Sequence, residues 1–436
     1  MKESRRALVL LVVLCGVPRL LLWLGRDPIV APDTHGYERF ARQIWNWDLT
    51  GYDGWRTPLY PVFMVLGGIN FRTIAFLQAV TGVAIAVLLF RTALKDIQNA
   101  RWALLVAATG ALALNQLSFE IAILSESLAA FFLVLSMAQF ARVYFTPRRS
   151  RAAFFGLGCI VTLAIMTRPA LIVLAPLYLV ALCLSALGDA DGFAEKLARV
   201  SIYTATAFLP ILCWSWFNYV TLGYFGPTTM TGIHLTNHSG AFIELAPEEY
   251  SDVRDIYLEF RGPRIRATGS HTVTIWDAQK VMQERLGLTY AQLSKRLTAM
   301  SVRLFVAHPL LYARGVTEAA ADFWRVPNPC PLTEDPFWSR LLKGFWLVQR
   351  VALFLANLAF FFLAGRCTYR LASGKSPREL GLELWIVVIV LGGCIGQALT
   401  EYGDNARYAL PFQCLVVYAV LVALGRRSRV QSFALR

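Results

Sequence analysis

Charge is what this sequence has least of. Asp, Glu, Lys and Arg supply 16% of its 436 residues, against 56% hydrophobic, too little to cover the surface of an ordinary soluble domain. A membrane protein is the class that remains. Histidine is scarce, with five in the chain, and there is no Walker loop, Gly-rich dinucleotide fingerprint, G-x-S-x-G elbow or H-E-x-x-H pair. His234 and His238 stand four apart in TGIHLTNHSG, but Gly and Asn mark that stretch as a loop, and zinc asks for three or four ligands. No metal or other cofactor is therefore expected. Of the eight cysteines, seven lie in or at the ends of apolar segments and only Cys330 sits in a long polar region, so they are read as fillers rather than a disulfide framework.

What is abundant is long apolar runs. A span needs about 20 mainly apolar residues, and candidates lie near 7–24, 72–94, 101–117, 119–143, 152–167, 169–187, 197–217, 342–365, 383–400 and 408–425. The expected fold class is all-α and polytopic, with about ten transmembrane helices. The first run follows a charged start, MKESRR, as in a signal peptide, yet it is too long and lacks an A-x-A site, so it reads as a retained helix. The net charge of +14 comes from short basic clusters at every second junction between apolar runs, which topology explains without a nucleic-acid partner. With those junctions on the cytoplasmic side, both termini are cytoplasmic. The other side receives the loop 26–71, short turns near 118, 168 and 404, and the segment 218–340.

The chain thus divides into an N-terminal bundle with its first outer loop (1–217), an outer segment (218–340) and C-terminal membrane helices (341–436). Apolar residues at helical spacing in TIWDAQKVMQERLG and in the stretch from Thr289, a cap, make the outer segment a small helical lobe. Its second stretch is amphipathic and suited to lying along the membrane surface. In the first outer loop, Tyr37, Phe40 and Ile44 form one apolar stripe of a short helix near 34–47, expected to rest on the bilayer. Asp33 at its start, and Thr57 with Pro58 further on, have the chemistry of helix caps.

The arginines are not explained by capping. Arg56, Arg168 and Arg407 each stand at a helix start on the outer side, where a cation opposes the macrodipole at about 0.3–1 kcal/mol. A shared phosphate would compensate all three; local pairing, such as Arg407 with Asp404 or Glu401, is the alternative. Two more charges, Arg19 and Glu126, fall about 8–10 Å inside their spans at 1.5 Å per residue. They are expected to form a structural ion pair.

The motifs PRLLLWLG, PDTHGYERFA, RTPLYP, LSESLA, TRPAL, NYVTLGYFGP and NARYALP, in this order over nearly the whole chain, resemble the GT-C glycosyltransferases. The resemblance is greatest to the bacterial branch related to protein O-mannosyltransferases and to the aminoarabinose transferase of lipid A. It implies transfer of a sugar from a polyprenyl-phosphate donor to a lipid, glycan or protein acceptor on the periplasmic face of the inner membrane, with inversion at the anomeric carbon. It implies that Asp33, from the family's Asp-x-x-x-Tyr pattern, acts near that carbon, with Asp53 the alternative acid. Thr34 stands where many relatives carry a second acid. Arg56, Arg168 and Arg407 would hold the donor phosphate, and Tyr37 and Tyr60 would line the sugar or acceptor. A lipid-linked sugar flippase and a polysaccharide polymerase or ligase are the competing classes.

Overall fold

The computed structural model describes residues 2–146, 150–187, 191–327 and 335–434; Cys330 lies outside them. Among these residues the chain is all-helical, with one isolated parallel bridge, Ile29 to Ala122. The N-terminal bundle comprises α1 (Lys2–Gly25), α2 (Pro32–Trp45), α3 (Leu59–Leu66), α4 (Phe71–Ile97), α5 (Ala100–Ala111), α6 (Leu114–Ile121), α7 (Glu126–Phe145), α8 (Arg151–Thr167), α9 (Leu174–Leu187) and α10 (Phe193–Leu222). The lobe comprises α11 (Thr231–Ser239), α12 (Ser251–Thr268), α13 (Thr274–Leu286), α14 (Tyr290–Ala307) and α15 (Pro309–Phe323). After it come α16 (Pro336–Ala372), α17 (Pro377–Leu380), α18 (Leu382–Thr400), α19 (Asn405–Tyr408) and α20 (Leu410–Ala434).

Among the described residues seven helices are long and apolar enough to cross a membrane, α9 being counted with the 3-10 turn Pro169–Val173 before it, or eight if α5 and α6, bent by 51° at their junction, make one span; α8 and the apolar part of α20 are shorter. The protein is a multi-pass helical membrane protein, and large side chains such as Leu21, Val348 and Phe362 are exposed around its bundle, as a lipid-facing surface requires. The expected boundary near residue 118 is displaced. Helix continues to Ile121, and the non-helical backbone is Ala122–Ser125, buried inside the protein.

The polar groups of that break find partners in the first outer loop and in α4. Ile29 donates to Ile121 O and accepts from Ile123 N, both at 3.0 Å, while Gln78 Nε2 donates to the carbonyls of Glu120 and Ala122 at 2.8 Å. Thr34 Oγ1 donates to Ile123 O at 2.9 Å, and Tyr37 OH meets Ser125 Oγ at 2.9 Å. Irregular backbone at membrane depth persists only where protein supplies such partners. The consequence is that α2 is stapled to the residues leading into Glu126.

The apolar stripe of α2 does not rest on the bilayer. Tyr37 and Phe40 are buried in protein, Tyr37 edge-on against Tyr60 and Phe40 beside Tyr52 and Trp214. The lobe has its own core of Ile233, Val253, Tyr257, Met282, Leu293, Leu297 and Met300 among others. Helix α14, expected along the membrane surface, supplies the middle of that core instead, because its apolar face finds α11 to pack on.

Candidate active site

Each charged residue of the site is delivered by a local feature of the sequence. Pro169 excludes the α region for the residue before it, so Arg168 ends α8 in extended backbone (φ −149°, ψ 108°). Arg407 sits on the single turn α19, immediately before α20. Pro32 is the first residue of α2 and Ala31 its cap, so Asp33 does not cap the helix as its residue type suggests. Nor does Thr57 cap α3, which begins at Leu59 with no side-chain cap bond.

Freed from capping, Asp33 lies between two arginines. Its Oδ1 accepts from Arg56 Nη2 and its Oδ2 from Arg407 Nη2, each at 2.8 Å. Arg407 Nε donates in turn to Glu126, whose Oε1 lies 3.1 Å from Arg168 Nη1. The result is an alternating run, Arg56–Asp33–Arg407–Glu126–Arg168, from five separate elements of the chain. The two terminal guanidiniums lie over aromatic rings, Arg56 over Tyr37 and Arg168 over Tyr408, both at 4.5 Å from the centroid. Their Nε atoms are buried with no hydrogen-bond partner.

Burial alone would push the Asp33 carboxyl up, but Arg56 and Arg407 more than offset it and hold the group well below the usual carboxylate range. Asp404, 3.4 Å from Arg407 Nη1, is pushed up to about 6 by burial, which Arg407 only partly counters. Asp33, Tyr37, Arg56, Arg168 and Arg407 line one cavity of about 250 Å³, roofed by Thr231 and His234 of the lobe and walled by Thr400 and Glu401 of the C-terminal helices.

Three expected residues are elsewhere. Tyr60 is fully buried behind Tyr37 and donates to Gln78 Oε1 at 2.7 Å. Asp53 is off the cavity, paired with Arg39 and accepting from Trp55 N at 3.0 Å. Arg19 does not pair with Glu126. Its Nε lies 2.7 Å from Glu120 Oε2, and Gln116 Nε2 donates to the same carboxylate at 2.8 Å. Glu126 belongs to the arginine run, because the break at Ala122–Ser125 places it at the start of α7 rather than midway along a span.

The sequence does not pick out His234, Glu401, Asp404 and Tyr408 as a group. Gly and Asn around His234 suggest a loop, whereas TGIHLTNHS is the helix α11. Gly232 is there for close packing, since a Cβ on it would stand 2.0 Å from Ser294 O of α14. Among the described residues no three His, Cys, Asp or Glu side chains are grouped as a metal site. No protein-family model matches this sequence, and no curated protein is significantly similar to it.

Proposed function

We propose that this protein is a glycosyltransferase that moves a sugar from a polyprenyl-phosphate donor to a hydroxyl-bearing lipid, glycan or protein. The observation that carries the reading is the alternating run of three guanidiniums and two carboxylates, with Arg56, Arg168 and Arg407 all lining one cavity. Ionised Asp404 beside Arg407 brings the local count to three cations and three anions, so what favours an anionic ligand here is the convergence of three guanidiniums on one cavity rather than net charge. A planar guanidinium suits phosphate because it gives paired hydrogen bonds. A prenyl tail needs an apolar berth, and a cleft of about 610 Å³ between α5, α16 and α20 reaches Leu410, three residues beyond Arg407.

The chemistry asks little more. A phosphate-linked sugar carries a good leaving group, so the arginines stabilise charge developing on the departing phosphate. The acceptor oxygen attacks the anomeric carbon from the opposite face, which inverts it. Asp33, committed to two arginines, is a weak base in this arrangement; it sets where the guanidiniums stand. The reading includes ten spans, with α8 and α20 crossing the membrane beside the bent pair α5–α6, a location in the bacterial inner membrane, and a site on the periplasmic face. Purified protein incubated with a radiolabelled polyprenyl-phosphate sugar and a cell-envelope extract as acceptor should release polyprenyl phosphate and move the label to the extract; absence of both across hexosyl and pentosyl donors would overturn the reading.

A further inference from the structure

Opposite the arginine run, the same cavity holds a polar group that phosphate binding does not use. His234 Nδ1 is in contact with Glu401 Oε2, and the other oxygen of Glu401 accepts from Asn237 Nδ2 at 2.7 Å. Glu401 is almost fully buried, and its own backbone is fixed by Asn405 Nδ2 donating to its carbonyl at 3.0 Å. Both His234 and Glu401 line the cavity, and the imidazole is one quarter exposed.

A carboxylate on Nδ1 selects the tautomer with its proton there and leaves Nε2 as an acceptor. No protein partner for Nε2 is found among the described residues. A base oriented by a carboxylate, itself held by an amide, is the arrangement by which enzymes activate a hydroxyl. Packing the lobe onto the bundle does not rest on it, since α15 packs on α18 and α19 and Tyr312 OH donates to Leu399 O at 2.7 Å.

We infer that His234, oriented by Glu401 and Asn237, takes the proton of the acceptor hydroxyl. This rests on the glycosyl-transfer reading above. In the step, the acceptor oxygen forms its bond to the anomeric carbon as the bond from that carbon to the phosphate oxygen breaks. The bonding pair leaves with the phosphate, and the hydroxyl proton passes to His234 Nε2 and then to water. Burial, with Arg56 and Arg168 adding to it and Asp33 opposing, pushes His234 down to about 4, so the ring is neutral at neutral pH, and it is the Glu401 carboxylate on Nδ1 that strengthens it as a base. The lobe would therefore supply the group that meets the acceptor, while the bundle holds the donor.

The test uses the full-length protein in detergent or nanodiscs, with the labelled donor and whichever acceptor preparation wild type uses. His234→Ala should lower kcat by about 10²–10⁴-fold with donor Kd unchanged, and added imidazole should restore part of the rate. Glu401→Gln, which keeps an acceptor oxygen but not the charge, should give a smaller loss without imidazole rescue. Donor binding by each variant shows that it is folded. A His234→Ala protein with normal donor binding and near-normal kcat overturns the inference and leaves glycosyl transfer standing, as does a slow variant that imidazole does not rescue. Wild type that releases no carrier phosphate overturns the transfer reading itself.

Discussion

Under the proposed function, Asp33 and a donor phosphate would compete for the same guanidiniums, and this sets opposite signs for neighbouring substitutions. Asp33→Asn removes the competing charge from between Arg56 and Arg407. Donor affinity should hold or rise while turnover falls, since the arginines lose the carboxylate that positions them. Arg407→Ala strips Asp33 and Glu126 of a shared partner; donor Kd should rise at least about tenfold, roughly 1.4 kcal/mol. Titration of both variants with the donor checks the pair. Asp404 adds a pH dependence. Burial pushes its carboxyl up to about 6, and protonation would remove a negative charge 3.4 Å from Arg407, so affinity for a phosphodiester donor should increase as pH falls from about 7.5 to 5. The expected gain is about three- to tenfold; Asp404→Asn should bind well throughout and show a flat profile.

At the scale of elements, the interruption between α6 and α7 organises the site. Apolar runs in the sequence locate both flanking helices, but the stop depends on hydrogen bonds from Ile29, Thr34 and Gln78, distant in the chain. Hydropathy carries no trace of such partners, which is why it puts Glu126 deep in a span and opposite the wrong arginine. The correct pair, Arg19 with Glu120, is accommodated by Gly82 of α4. A Cβ there would stand 2.2 Å from Glu120 Oε1 and 2.5 Å from Arg19 Nε. Gly82→Ala should therefore destabilise the bundle by about 1–3 kcal/mol through overpacking, read as a lower midpoint of thermal unfolding in detergent. By contrast Gly16, where an added Cβ would meet nothing within 4 Å, should accept alanine without loss.

For the whole molecule, the first outer loop, the lobe and the turn before α20 meet around one cavity, which requires all three on one side of the membrane. In a cysteine-free background, single cysteines at Thr50 and Thr268, both exposed, should react with an impermeant maleimide added outside spheroplasts. One at Ser373, also exposed, should react only after permeabilisation. Equal labelling of Thr50 and Ser373 would reject the arrangement.

The sequence by itself determined that this is a helical membrane protein with a helical lobe, because apolar run length and helical spacing are local properties that hydropathy reads directly. It also singled out Arg56, Arg168 and Arg407, since a cation beside a helix start is visible in a few residues, and it offered Asp33 only through the resemblance of its Asp-x-x-x-Tyr stretch. Tertiary structure alone decided which charges meet. Asp33 is 374 positions from Arg407 and Glu126 is 281, so their pairing follows from the stapling of α2 onto the α6–α7 break. The same holds for His234 and Glu401, 167 positions apart. A buried charge is held by whichever opposite charge the packing brings within reach, and separation along the chain says nothing about that reach.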